Sequence, residues 1–143
     1  MEITLSETNI WRSIKKFWYD QLDGVVSIFF DRVITKSQKA DLSQWVTIFI
    51  EGVIPGHVSD ASMTIYMFST QDSEGDNLAE LRDTIFDLLT PGYIDFYDTS
   101  TVPWVKAGAF LVYIRNESRI FYNPDRTKMK YLTCDLKWPS IWS

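Results

Sequence analysis

Hydrophobic residues recur along this chain with two different periods, and the period distinguishes the predicted helices from the predicted strands. An apolar stripe that begins at Ile10 follows helical spacing, which predicts an amphipathic helix over residues 8–22. A second stripe predicts a helix that starts at Asp72 or Ser73 and ends near Leu89, where a Pro-Gly pair follows. Each helix has one face to bury.

The other apolar runs are rich in β-branched and aromatic residues, which is typical of strands. The predicted strands span residues 25–32, 44–53, 62–70, 94–97, 107–115, 119–122 and 128–138. The first is apolar on both faces, so we expect it to be buried. A Pro-Gly pair after Ile54 predicts a loop that continues to Ala61. In the last strand the apolar parity changes, which predicts a bulge or bend near Leu132.

This order of elements predicts one α+β domain, in which two helices pack on a mostly antiparallel sheet. The length of 143 residues fits a single domain, and 45% hydrophobic with 23% charged residues is typical of globular proteins. No apolar run approaches roughly 18 residues, and the first residues lack a basic start before an apolar run. We therefore expect neither a membrane span nor a signal peptide.

Charge and the rare residue types limit the possible chemistry. A net charge of −5 disfavours general nucleic-acid binding, because that affinity depends on Lys and Arg. Cys134 is the single cysteine, so no internal disulfide can form, and it alternates with leucines as a core thiol does. His57 is the single histidine, and we interpret it as an inert loop side chain. We expect no catalytic residues, no metal and no cofactor.

Carboxylates cluster around the predicted start of the second helix. Those near the ligand spacing of a calcium loop are Asp72, Glu74, Asp76, Glu80 and Asp83. A calcium loop needs glycine at its sixth position, where this chain has Asn77, and the pattern is helical from Leu78 onward. We therefore interpret the cluster as capping residues, which face the positive end of the helix dipole.

Four carboxylates of the second helix align opposite its core stripe, with no Lys or Arg interleaved. They are Asp76, Glu80, Asp83 and Asp87. Such a stripe is either a solvated face or a surface that meets a basic partner or repels DNA from a channel wall. The first helix carries Arg12, Lys15 and Lys16 away from its apolar face. We hypothesise that this basic surface of one subunit faces the acidic helix of its neighbour.

The region between residues 44 and 98 has a distinctive order of strand, acidic turn and helix. Its segments are Gln44–Ile48, Ser59–Met63, Ile65–Thr70, Gln71–Asp76, Leu78–Asp83 and Gly92–Asp98, and Lys137-Trp138 follows near the end. In these residues the chain resembles the phage tail terminator (tail completion) proteins. That family has no invariant catalytic signature, so the resemblance implies nothing about catalysis.

The resemblance implies a structural virion protein, an α+β subunit of a hexameric ring that closes the head-proximal end of the tail tube. The implied partners are further copies of the chain, the tail tube protein and the neck or head–tail connector proteins, and contact with a sheath protein is allowed. Genomic DNA would pass through the lumen without sequence-specific binding, and no membrane would be involved. The implied location is the tail–neck junction of the virion, after assembly in the host cytoplasm.

Loops that project from the sheet would contact the layers above and below the ring. The candidate loops cover residues 33–43, 54–61 and 99–106, and the side chains we favour are Ile54, Pro55, His57 and Trp104. Trp142 belongs to an apolar segment, residues 138–142, which either packs on its own core or acts as an interface arm.

Three alternatives stay open. One is another head–tail adaptor or a baseplate protein. A second is a small-ligand or peptide-binding module with a deep apolar pocket. The third is a metal-dependent nuclease, whose ligands would be Asp72, Glu74, Asp76, Asp95 and Asp98.

Overall fold

Side chains from two helices join one core cluster on a curled, mostly antiparallel sheet, which confirms the predicted α+β fold. The computed structural model describes residues 7–31, 43–54, 58–70, 72, 74–124 and 126–139. Within these residues the elements are α1 (Glu7–Leu22), β1 (Ser27–Phe30), β2 (Gln44–Ile54), β3 (Val58–Ser69), α2 (Asp76–Leu89), β4 (Tyr93–Asp98), β5 (Val105–Glu117), β6 (Phe121–Tyr122) and β7 (Lys128–Pro139).

The described sheet has the strand order β1-β2-β3-β7-β5-β4, and β6 also pairs with β7. β1 lies parallel to β2, whereas every other pair is antiparallel. β3 and β7 pair without interruption from Val58 opposite Pro139 to Ser69 opposite Lys128, so they form the centre of the sheet. β1 and β4 are its two edges.

The core lies between the helices and one face of the sheet. Its helical members are the predicted stripe residues Ile10, Ile14, Trp18 and Leu22 of α1 and Leu78, Leu81, Ile85 and Leu89 of α2. Alternate residues of the strands complete it, among them Ile48, Ile65 and Leu132. Burying a side chain of this kind contributes roughly 1.5–3 kcal/mol, so the stripes determine which helix faces turn inward.

Two buried polar side chains on α1 satisfy the open edge of β4. The backbone N–H of Tyr97 donates to Ser13 Oγ at 2.9 Å, and the N–H of Thr99 donates to Asn9 Oδ1 at 3.1 Å. An edge strand has no neighbour to accept such groups, and leaving them unpaired against a helix is costly. α1 therefore acts as the polar partner that this edge lacks. The sequence pattern gave no indication of this role for Asn9 and Ser13.

The second face of the sheet carries a row of aromatic rings. Trp45 stacks on Phe68 with centroids 4.9 Å apart, and Tyr66 lies 5.5 Å from Tyr131. Toward β4 and β5 this face becomes exposed, at Tyr93 (52%), Leu111 (49%) and Tyr113 (51%). The strands of this sheet therefore have apolar side chains on both faces.

These rings explain the parity change in β7, so the prediction of a bulge near Leu132 is wrong. β7 keeps one register with β3 along its whole length. Leu132 faces the core, whereas Tyr131 packs against Tyr66 and Phe121 on the other face. The register shift lies instead in β5, next to Ile114.

The first strand is shorter and less buried than predicted. Val25 and Val26 still donate their N–H groups to the Leu22 carbonyl, at 2.9 and 3.2 Å, and thereby continue the end of α1. β1 therefore begins at Ser27, and its residues are half-buried or exposed because it is an edge strand.

The predicted loop from Ile54 to Ala61 is also wrong. Ile54 ends β2, and β3 begins at Val58, so Ala61 is a buried strand residue paired with Leu136. Pairing with the distant end of β7 determines this start, and the local Pro-Gly signal cannot reveal a long-range contact. Residues 55–57, and with them Pro55 and His57, lie outside the described residues.

We expect Ser13→Ala to lower the free energy of unfolding by about 1–3 kcal/mol, because the Tyr97 N–H loses its acceptor. Thr84→Ala is the matched control. Thr84 Oγ1 donates to the Glu80 carbonyl on the exposed side of α2, so its removal should change the free energy of unfolding by no more than about 0.5 kcal/mol. Urea unfolding measures both changes. Equal losses in the two variants would contradict the role of Ser13 at the sheet edge.

Candidate functional site

An open cleft of about 610 Å³ lies between α1, β4 and the loop that leads into β5. Its lining residues are Arg12, Lys15, Lys16, Tyr19, Tyr97, Pro103 and Trp104. We call it the α1–β4 cleft. It unites the three cations predicted for a subunit interface with Trp104, which the sequence placed in a separate contact loop.

The loop wall of the cleft is held by its own polar groups. Asp98 Oδ1 accepts hydrogen bonds from the hydroxyl of Ser100 at 2.6 Å and from its backbone N–H at 3.0 Å. These bonds lower the pKa of Asp98. Trp104 lies 6.5 Å from the Tyr97 ring and is 38% exposed. β5 begins at Val105, so the loop is shorter than the predicted residues 99–106.

The helix wall is joined to the same loop through Thr99. An N–H of the Arg12 guanidinium donates to Thr99 Oγ1 at 3.2 Å, and the Thr99 hydroxyl donates to Asn9 Oδ1 at 2.6 Å. Asn9, which accepts the backbone N–H of Thr99 beside β4, therefore also helps to position Arg12 of the cleft through the Thr99 hydroxyl.

The three cations of the cleft are not equivalent. Lys16 Nζ lies 2.7 Å from Asp20 Oδ2, and this hydrogen bond raises the pKa of Lys16. Arg12 and Lys15 have no carboxylate within ion-pair distance among the described residues. Lys15 is half-buried, 5.4 Å from the centre of the Trp11 ring. Two positive charges thus face the cleft without a counter-charge from the described chain.

The predicted acidic stripe is exposed along α2. One of its four carboxylates pairs with a cation that lies beside the stripe: a guanidinium nitrogen of Arg82 lies 3.1 Å from Asp83 Oδ1, and Arg82 also pairs with Glu117. Among the described residues no cation pairs with Asp76, Glu80 or Asp87. Three of the four stripe carboxylates therefore keep their charge available to a partner.

One carboxylate before α2 caps the helix as predicted, although α2 starts at Asp76 and not at residue 72 or 73. Asp72 is 6% exposed, and its side chain accepts the N–H of Leu78 at 2.9 Å, the N–H of Asn77 at 3.3 Å and the Ser69 hydroxyl at 3.0 Å. Burial acts to raise the pKa of Asp72, but these bonds outweigh it, and the pKa is lowered.

Gly75 lies between Asp72 and the first residue of α2, Asp76. It has φ +84°, a left-handed conformation that glycine adopts without strain. It lets the chain enter the helix while Asp72 reaches back to its first turn. Glu74 is exposed, and no hydrogen bond joins its side chain to a described residue of α2, so the capping prediction holds for Asp72 and not for Glu74.

The carboxylates of the nuclease alternative are not brought together. Asp72 is occupied by the start of α2, whereas Asp95 lies on β4 with Oδ1 3.1 Å from Lys106 Nζ, and Asp98 bonds Ser100. In the part of the chain that the structure describes, no three His, Cys, Asp or Glu side chains could hold a metal ion.

The single thiol is a core residue, as the sequence predicts. Cys134 is buried, and burial raises its pKa to about 12, so the reactive thiolate is not populated near neutral pH.

The sequence pattern placed Trp104 in a contact loop, but it did not reveal three other residues that line the cleft, Tyr19, Tyr97 and Pro103. Tyr19 follows Lys15 and Lys16 by one helical turn, so helical spacing alone could have found it. Tyr97 and Pro103 join the cleft only because β4 packs on α1, which no local pattern reveals. Trp142 lies outside the described residues.

No protein-family model matches the chain, and no curated protein is significantly similar to it in sequence. None of the described helices is long and apolar enough to cross a membrane.

Asp72→Asn is expected to lower the free energy of unfolding at pH 7 by on the order of 1–3 kcal/mol, because the charged acceptor of the α2 N–H groups is lost. The folded-state pKa of Asp72 is lowered, so its stabilisation is complete above about pH 4 and is lost as the pH falls through that folded-state pKa. The difference in the free energy of unfolding between wild type and variant should therefore become smaller in acid.

Urea unfolding at pH 7 and at about pH 3 measures this gap. Glu80→Gln, at an exposed position beyond the first turn of α2, is the control and should stay within about 0.5 kcal/mol. A gap for Asp72→Asn that is the same at both pH values would contradict the capping role of the charged carboxylate.

Proposed function

We propose that the protein is a structural component of a phage virion, of the tail terminator type. Copies of the chain would form a ring, expected to be hexameric, that closes the head-proximal end of the tail tube. The observation that carries the proposal is a pair of charged surfaces on separate helices, one basic and one acidic, whose charges are largely unpaired within the described chain.

A closed ring needs two different patches on each subunit, because every contact joins one patch to the other patch of the next copy. The α1–β4 cleft and the stripe of Asp76, Glu80 and Asp87 form such a pair. Their opposite charges favour association between copies of a chain whose net charge of −5 would otherwise make them repel.

The exposed part of the second sheet face supports contacts with other layers of the particle. Tyr93 and Leu111 are register partners on β4 and β5, and Tyr113 follows on the same face of β5. Adjacent exposed apolar side chains are typical of surfaces that become covered in an assembly. We assign this face to the tail tube protein or to the neck proteins, with DNA passing through the ring lumen.

We assign this assembly to the tail–neck junction because residues 44–98 resemble tail terminator proteins. In this role the chain catalyses no reaction and needs no cofactor. Its function would be to join the tail tube to the head by matching the shapes of the two.

At low ionic strength we expect annular particles of the purified protein in negative stain. In about 1 M salt, where charges are screened beyond roughly 3 Å, the sedimentation coefficient should fall toward that of single subunits. The same protein added to isolated tail tubes should give density at one end of each tube. Assembly that is indifferent to salt would contradict the charged contact, and the absence of both rings and tube-end density would contradict the proposed function.

A further inference from the structure

We infer that the α1–β4 cleft receives the acidic face of α2 from a second copy of this chain. The inference rests on the proposed ring function, because it names the contact that would close the ring. The participants are Arg12 and Lys15 in the cleft and Glu80 and Asp87 on the incoming helix, with Asp76 at its first turn.

The cleft has the composition of a socket for a carboxylate on an apolar surface. Arg12 and Lys15 supply positive charge that no described carboxylate neutralises. Lys15 is already partly withdrawn from water against Trp11 and Phe30, so a carboxylate that reaches it gains more than it would in open solvent. Around these cations, Tyr97 and Trp104 offer ring surface that a partner can cover.

The acidic face of α2 supplies the matching charge. Glu80 and Asp87 are exposed, and among the described residues Asp83 between them is the only stripe member that pairs with a cation, Arg82. Like charges along one helix face repel by a few tenths of a kcal/mol per pair, and Asp87 also lies at the end of α2 where the helix dipole disfavours negative charge. Cations of a neighbour would relieve both costs, which makes the isolated subunit the less favourable state.

The two surfaces belong to different parts of the fold, so they meet only between copies. α2 packs on β3 and β7 at the centre of the sheet, whereas the cleft lies where α1 packs on the edge strand β4. Such a contact is heterologous and continues from copy to copy until the ring closes. A nucleic acid is a poorer occupant, because the surrounding chain carries a net charge of −5.

Charge reversal in two separate variants tests the contact. The cleft variant carries Arg12→Glu and Lys15→Glu, and the stripe variant carries Glu80→Lys and Asp87→Lys. Each variant alone sets like charges against each other at every contact, so we expect its self-association to weaken on the order of 100-fold. An equimolar mixture restores opposite charges at every contact when the two variants alternate around the ring. A hexamer has the even number of subunits that alternation requires.

The control reverses the same number of charges elsewhere, with Arg119→Glu and Arg126→Glu at exposed positions beside β6. Thermal unfolding verifies that every variant is folded, and sedimentation measures assembly, in solution and on isolated tail tubes. Loss in each variant and recovery in the mixture, with the control assembling as wild type, is the expected result.

Two results would overturn the inference while leaving the ring in place: reversal variants that assemble as wild type does, or a mixture that fails to recover while the control assembles. A wild-type protein that assembles neither in solution nor on tubes would overturn the proposed function, and the inference with it.

Discussion

The packing of α1 along the open edge of β4 is the contact on which the candidate site depends. Ser13 and Asn9 satisfy backbone groups that an edge strand leaves unpaired, and α1 also packs on β1, the opposite edge of the sheet. The helix therefore bridges the two edges of the curled sheet. Because its position is fixed at both edges, Lys15 comes to lie over Phe30 of β1 and Lys16 over Tyr97 of β4. The packing of α1 therefore satisfies the backbone groups at the edge of β4 and also places the cations of the cleft.

The charges of this chain divide into an internal set and an outward set. Internally, Arg82 of α2 pairs with Glu117 at the end of β5, and Lys130 of β7 lies 3.4 Å from the same carboxylate. The hydrogen bond from Arg82 lowers the pKa of Glu117, which shows that this carboxylate is stabilised in its charged form. Burial acts to raise the pKa of Asp72, but the hydrogen bonds that it accepts from the start of α2 lower it below its ordinary value, so this carboxylate is also stabilised in its charged form. These contacts fix the helix to the sheet, and they leave the remaining stripe carboxylates free to act on another molecule.

The sequence predicted what depends on local spacing and missed what depends on distant pairing. The stripes of both helices and the exposed carboxylates of α2 follow from a period of 3.6 residues, so they could be found without a structure. The start of β3 at Val58 depends on pairing with β7, and the pairing of Arg82 with Glu117 joins residues 35 positions apart. The cleft combines both cases. Its cations follow from the spacing of one helix, whereas their position next to Trp104 depends on the packing of β4 on α1.

Electron cryo-microscopy of the assembled wild-type particle would image the proposed contact between neighbouring copies. We predict a closed ring in which Arg12 and Lys15 of each subunit lie within about 4 Å of Glu80 or Asp87 of the next. A particle joined through other surfaces, with the cleft open to solvent, would contradict it.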